Sequence, residues 1–246
     1  LDRKGKNGRN KGKSLNKPLF VALDVDTDAD ALRIAELTAP YVGGFKVGPR
    51  LIVRYGEKLL SQLQKKAPLF IDNKYFDIPS TMEGAIRASF DMGASYTTIH
   101  AQAGSEAMSQ LAKVEKELNE TRPFKILAVT ILTSFQSETL PSILKSMPIP
   151  DMVEELARLT VESGLSGLVC SPEEVANLRQ KFPNTFLLVP GIRMAGHDLS
   201  DQKRVSDPAT ALASGASALV VGRPICRADN PAQAAKLYSD VIQNSR

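Results

Sequence analysis

The stretch Pro68-Leu69-Phe70-Ile71-Asp72-Asn73-Lys74-Tyr75-Phe76-Asp77-Ile78-Pro79-Ser80-Thr81 passes from an apolar run, through three charges, to a rigid helix start. Leu69-Phe70-Ile71 predicts a short buried strand, and period-two alternation then puts Asp72 and Lys74 on one face with Asn73 on the other. Two opposite charges therefore point together into whatever the strand lines. A lone Asp-x-Lys is most simply an ordinary ion pair. The third charge, Asp77, and the Ile78-Pro79 exit turn the segment into one strand-to-helix unit with its charges gathered just beyond the strand.

The same punctuation recurs outward in both directions. Strands are predicted at 19–23, 44–47, 69–71, 96–99, 126–131, 167–169, 186–189 and 218–221. Helices are predicted near 28–40, 49–66, 79–92, 104–119, 151–163, 172–181, 207–214 and 231–244. Ser171-Pro172-Glu173-Glu174 and Ser206-Asp207-Pro208 combine a capping residue, a first-turn proline and early acids, as helix starts do. Eight strand-then-helix units in one chain of 246 residues point to an α/β fold, a single-domain (β/α)8 TIM barrel, rather than an open sheet. Such barrels carry their chemistry at the C-terminal ends of the strands. Polar residues collect there: Asp24 and Asp26, Lys46, Asp72 and Lys74, His100, Thr133 and Ser134, Ser171, Arg193 and Arg223.

Composition narrows the options. Apolar residues make up 43% of the chain, enough for a core, yet no run approaches the roughly 18 residues that span a bilayer. A cytoplasmic protein with no membrane partner is expected. The net charge of +4 is misleading, because residues 1–17 hold seven Lys/Arg against Asp2 and so carry +6, leaving −2 for the rest. Residues 1–17 are read as a basic, flexible tail and residues 18–246 as the barrel domain; nucleic acid is the lesser reading for the tail and is not an expected partner. Cys170 and Cys226 lie far apart in apolar surroundings and read as buried free thiols. With only His100 and His197, no His/Cys zinc cluster forms and a histidine-based hydrolase lacks candidates.

Two segments suggest a phosphate site. Val220-Val221-Gly222-Arg223-Pro224 pairs a glycine that lets an anion approach the backbone with an arginine fork. Val189-Pro190-Gly191-Ile192-Arg193 leads into a polar loop through Gln202. Each alone reads equally as a glycine turn with a surface arginine; together, after strands seven and eight, they favour phosphate. The opposite side offers alternating charges in Asp24, Lys46, Asp72, Lys74 and Asp77. Two lysines on neighbouring strands repel a divalent cation, so proton transfer or carbanion stabilisation suits the array better than metal ligation. His100 reads either as a general base or as a satisfied polar residue at a strand end, the latter favoured.

Ala22-Leu23-Asp24, Gly44-Phe45-Lys46-Val47-Gly48, Asp72-x-Lys74-x-x-Asp77-Ile78-Pro79-x-Thr81, Val129-Thr130-x-Leu132-Thr133-Ser134, Val189-Pro190-Gly191-Ile192-Arg193 and Val221-Gly222-Arg223-Pro224 together resemble the orotidine 5′-phosphate decarboxylase family, in family order over residues 18 to about 240. The resemblance implies a cofactor-free, metal-free homodimer that converts orotidine 5′-phosphate to UMP and CO2, the last step of de novo UMP synthesis. Lys74 would protonate C6 of the pyrimidine, and Asp72 would face the departing carboxylate. Lys46 and Asp24 would hold the ribose hydroxyls, and Thr133 the pyrimidine edge. Arg193, Gln202, Gly222 and Arg223 would hold phosphate, while Asp77 and Thr81 would reach into the neighbouring subunit's site. The chain departs from the commoner bacterial pattern at Asn73, Phe76 and Ser80, none of which removes a charge from the array. Asn73 faces away from the barrel interior and bears on helix packing. Two rivals remain: a metal-dependent decarboxylase or aldolase for keto-sugar phosphates on the same barrel, and a non-enzymatic module binding nucleic acid through the tail. Lys46 argues against the first, whose corresponding position resembles an acidic metal ligand, and the intact charged array argues against the second.

Overall fold

The computed structural model describes residues 17–144, 146–194 and 205–245; the basic tail except Lys17, and Gln202, lie outside the described residues. Eight parallel strands close into a barrel in chain order: β1 (Leu19–Ala22), β2 (Gly44–Val47), β3 (Leu69–Tyr75), β4 (Ala94–His100), β5 (Lys125–Val129), β6 (Gly167–Val169), β7 (Phe186–Val189) and β8 (Ala218–Val221). β1 pairs with both β2 and β8, so the parallel sheet has no free edge. The (β/α)8 expectation holds.

Helices α1 (Asp28–Thr38), α2 (Pro49–Leu63), α3 (Pro79–Asp91), α4 (Ser105–Leu118), α5 (Ile149–Glu162), α6 (Val175–Lys181), α7 (Pro208–Ala213), α8 (Arg223–Cys226) and α9 (Pro231–Asn244) connect and cover the strands. Their starts follow local chemistry. Thr27, Asp207 and Asn230 cap α1, α7 and α9 by accepting a backbone N–H, which satisfies a donor the helix cannot. Pro49 and Pro79 stand at the first position of α2 and α3, where a missing N–H costs nothing. None of the helices among the described residues is long and apolar enough to cross a membrane.

Strand alternation divides the core in two. Val21, Phe45, Ile71, Ile99, Ile126, Leu187 and Val221 face the helices, while Phe20, Ala22, Phe70, Leu127, Leu188, Ala218 and Val220 fill the barrel. Inside, Tyr96 lies edge-on to Phe20 at 5.2 Å between ring centroids and stacks on Phe186 at 5.8 Å, giving the interior a packed aromatic filling. The open mouth is left to polar groups.

Four details differ from the sequence reading. β3 extends to Tyr75, so Asp72 and Lys74 lie within the strand rather than beyond it. The helix predicted over 172–181 divides into a 3-10 turn, Pro172–Glu174, and α6, because Ser171 and Glu174 close a capping box around the turn. α2 is kinked at Gly56, whose φ of 49° suits a glycine and no other residue comfortably. The short α8 follows β8 immediately, so Arg223 opens a helix rather than a loop.

Candidate active site

At the C-terminal mouth of the barrel, Asp24, Lys46, Asp72, Lys74, Thr133, Arg193, Gly222 and Arg223 line one cavity of about 200 Å³. Eight separately predicted residues from strands one, two, three, five, seven and eight are thus brought together. Apolar walls come from Ala22, Phe70, Val169, Leu188, Pro190 and Val220.

The charges form a connected chain. Asp24 Oδ1 lies 3.7 Å from Lys46 Nζ, which donates to Asp72 Oδ2 at 3.1 Å. Lys74 Nζ donates to both Asp72 oxygens at 2.9 Å. Asp72 is 7% exposed, and burial alone would push its carboxyl up; the ammonium groups of Lys46 and Lys74 and the hydrogen bonds from Lys74 and Thr98 outweigh this and hold it at about 2. Burial likewise works to lower Lys46, but Asp72 and Asp24 outweigh it, so Lys46 is raised above its ordinary value and stays charged. The mouth therefore holds a carboxylate and two ammonium groups in fixed geometry. Among the described residues, no three His, Cys, Asp or Glu side chains gather as a metal site requires.

The geometry depends on an irregularity in β3. Ile71 pairs with Thr97 and Tyr75 with Ile99, so Asp72, Asn73 and Lys74 face the single residue Thr98. Lys74 takes φ 49°, the only positive φ outside glycine among the described residues. A side chain in this region costs about 1 to 2 kcal/mol. Its backbone N–H, out of the regular ladder, donates to Thr98 Oγ1 at 2.9 Å, and the Thr98 hydroxyl donates to Asp72 Oδ1 at 2.9 Å. Asn73 points outward as expected: its Nδ2 donates to Tyr75 Oη, which is bonded to Ser89 Oγ of α3.

The loop after β7 is anchored at its base. Gly191, at φ 78°, accepts the Ser206 N–H at 3.2 Å, and Arg193 N–H donates to Ser206 O at 2.9 Å. Arg193 is buried, and its Nη1 donates to Ile192 O. Gly222 lies against Asp24: a Cβ there would come 3.5 Å from its carboxylate, so the start of α8 and the end of β1 share one rim.

Asp77 and Thr81 do not join this cavity within the chain. Both are exposed; Asp77 Oδ1 accepts the neighbouring Ile78 N–H at 2.7 Å. Phe76 and Ile78 beside them are 61% and 64% exposed. Asp26 turns away as well, its carboxylate taking Arg50 Nη1 at 3.0 Å. Ser171 serves the capping box. His100 is half-buried, with Nδ1 lacking a partner, so the expectation of a satisfied histidine is not met; burial first and then Lys74 lower its pKa, and it does not line the cavity. Cys170 is buried and Cys226 partly so, and neither is in a disulfide; burial pushes the Cys226 thiol up to about 12. Thr98 was not anticipated as a site residue, although alternation along Tyr96, Thr98 and His100 puts it on the inward face.

Residues 17–238 match the model of the family described as Orotidine 5′-phosphate decarboxylase / HUMPS family. The orotidine 5′-phosphate decarboxylase of Geotalea daltonii is 42% identical over 221 residues, covering 89% of this chain and 92% of that protein. That of Aliivibrio fischeri is 38% identical over 220 residues, covering 89% of this chain and 94% of its own length. Among solved structures, orotidine 5′-phosphate decarboxylase from Lactobacillus acidophilus superposes with a TM-score of 0.81 at 30% identity, over 92% of this chain and 99% of that one. An uncharacterized conserved protein from Geobacillus kaustophilus gives 0.78 at 26% identity, over 92% and 100% of the two chains. With the family model matched from residue 17 to 238 and a relative 42% identical over 92% of its own length, this chain belongs to the orotidine 5′-phosphate decarboxylase / HUMPS family.

Proposed function

We propose that this chain is a carboxy-lyase that converts orotidine 5′-phosphate to UMP and CO2 without a cofactor, the closing step of UMP synthesis in the cytoplasm. The observation that carries the reading is the Asp24-Lys46-Asp72-Lys74 chain lining the same cavity as Arg193 and Arg223. Lys46 also separates this reading from a metal-dependent one, because an ammonium group 3.1 Å from Asp72 takes the place beside the carboxylate where a cation would sit.

In this mechanism Arg193, Gln202, Gly222 and Arg223 hold the phosphate, Asp24 and Lys46 the ribose hydroxyls, and Thr133 the pyrimidine edge. The apolar wall of Val169, Leu188 and Val220 suits a flat heterocycle. The bond from C6 to the carboxylate breaks, its electron pair stays on C6, and Lys74 Nζ delivers a proton there; solvent then recharges the amine. Opposing the substrate carboxylate to Asp72 at about 4 Å is worth roughly 4 kcal/mol at an effective dielectric of 20. Enzymes of this kind of power need about 8 to 23 kcal/mol. The larger share therefore falls to Lys74⁺, which stabilises the developing negative charge in a site sheltered from water. Phosphate binding far from the carboxylate supplies binding energy that can be used at the reacting centre.

The active unit in this reading is a homodimer with shared sites. Asp77 and Thr81, too exposed to serve their own cavity, complete that of the partner, and the exposed Phe76 and Ile78 suit the contact between subunits. Residues 18–246 carry the activity and the basic tail is dispensable, with no membrane or nucleic-acid partner. The test follows loss of orotidine 5′-phosphate by its ultraviolet absorbance, with and without EDTA. Equal turnover in both is the expected result. Loss of activity confined to EDTA turns the assignment toward the metal-dependent branch, and no turnover in either condition refutes the assignment.

A further inference from the structure

We infer that Thr98 is a positioning residue of the reaction centre, fixing Asp72 and Lys74 relative to each other through one hydroxyl group. The inference rests on the decarboxylase reading above, which assigns those two residues to the chemistry.

Three observations converge on it. Thr98 is fully buried on the inward face of β4, directly opposite the irregular turn of β3. Its hydroxyl has one proton and spends it on Asp72 Oδ1 at 2.9 Å; its oxygen accepts the Lys74 backbone N–H, also at 2.9 Å. Lys74 holds φ 49°, a conformation that a lysine does not adopt without restraint. The hydroxyl thus replaces the ladder partner that the irregular β3 denies to Lys74 and, with the same atom, orients the carboxylate that receives Lys74 Nζ. Removing it leaves a partly buried N–H without a partner and a carboxylate short of one donor. The first penalty, together with the cost of the positive φ, is relieved if Lys74 relaxes toward negative φ, which swings its ammonium group out of line with Asp72. Lys46 continues to hold the other oxygen of Asp72, and the phosphate side of the cavity is untouched. Ground-state binding is therefore spared while the proton donor is displaced.

The test compares Thr98→Val, which keeps the shape and loses the hydroxyl, with Thr98→Ala and with Thr98→Ser, which restores it. Turnover of orotidine 5′-phosphate gives kcat and KM, and titration with UMP gives affinity independent of chemistry. A lost hydrogen bond to a charged group predicts kcat lower by about tenfold to a hundredfold in the valine and alanine variants. KM and UMP affinity should stay within about threefold, and the serine variant should recover kcat to within about threefold. If valine fails to fold, alanine alone decides the same point. The inference is overturned if the hydroxyl-free variants keep their kcat, if serine is as slow as valine, or if KM and UMP affinity worsen as much as kcat falls. Absence of turnover in the unmodified protein is a separate result, which removes the decarboxylase assignment and this inference with it.

Discussion

The two ends of the segment 72–81 are separated by a few residues and have opposite fates. Asp72 and Lys74 are drawn into the barrel mouth, bonded to each other, to Lys46 and to Thr98. Phe76, Asp77, Ile78 and Thr81 stand in solvent at the start of α3. One stretch thus supplies an inward-facing charge cluster and an outward-facing surface. The division falls where β3 ends at Tyr75: a barrel strand can direct only its alternate residues inward, and beyond it the chain must turn to join the outer helix. In the homodimer proposed above, Asp77 takes its part in the chemistry at the neighbouring subunit's site, and that contrast can be broken or sharpened by experiment.

Lys74→Ala should have the largest effect, lowering kcat by several decades while UMP still binds; near-normal turnover in steady-state assays would remove the proton donor from the inner half. Asp77→Ala should also be inactive, yet the two inactive proteins mixed in equal amounts should regain activity. Random exchange in a symmetric dimer makes half the molecules hybrids with one intact site each, so about a quarter of the sites should recover. No recovery after subunit exchange would place Asp77 with its own chain.

Arg223→Ala should instead raise KM by about one to two decades with a smaller change in kcat, since in the proposed reading it removes a charged contact to phosphate remote from C6. A fall in kcat alone would merge the phosphate side with the inner half. The inner half should also be visible in stability. Asp72 is lowered from 3.8 to about 2, so its contribution is complete above about 4 and is lost as pH falls through about 2. Lys46 is raised above 10.5, so its contribution is present below that value and is lost as pH rises through its folded value. Urea unfolding between pH 5 and pH 2 should therefore show a loss of about 2 kcal/mol that Asp72→Asn abolishes. A variant with an unchanged acid limb would show that the pair is not what titrates. The smallest effect is expected from deleting residues 1–17, which should leave turnover within about twofold; a collapse would show that the tail belongs to the catalytic unit.

Much of the site was legible because barrel chemistry has an address. Once strands alternate with helices, polar residues at strand C-termini become candidates. The cavity gathers Asp24, Lys46, Asp72, Lys74, Thr133, Arg193, Gly222 and Arg223 from those positions. The same rule overreached at Asp26, Ser171 and His100, which occupy equivalent positions in sequence but are turned to Arg50, to a helix cap and to the flank of the mouth. Position along a strand gives the face a side chain leaves from, not the partner that captures it. Thr98 escaped notice for the converse reason: an uncharged residue in a β-branched run looks like ordinary strand material until its neighbour is known to bulge.

By itself the sequence determined the barrel, through the periodicity of eight apolar runs, and the identity of the charges at its mouth, through their spacing and the motifs around them. Local chemistry is enough for both, because strand faces, helix caps and proline starts depend on residues a few positions apart. Only the tertiary structure decided which charges meet. Lys46 lies 26 residues before Asp72, Thr98 lies 26 after it, and the left-handed backbone of Lys74 is held by a hydroxyl from the adjacent strand. Those contacts exist because the sheet closes in parallel and in one register, and no local propensity encodes a hydrogen bond across neighbouring strands.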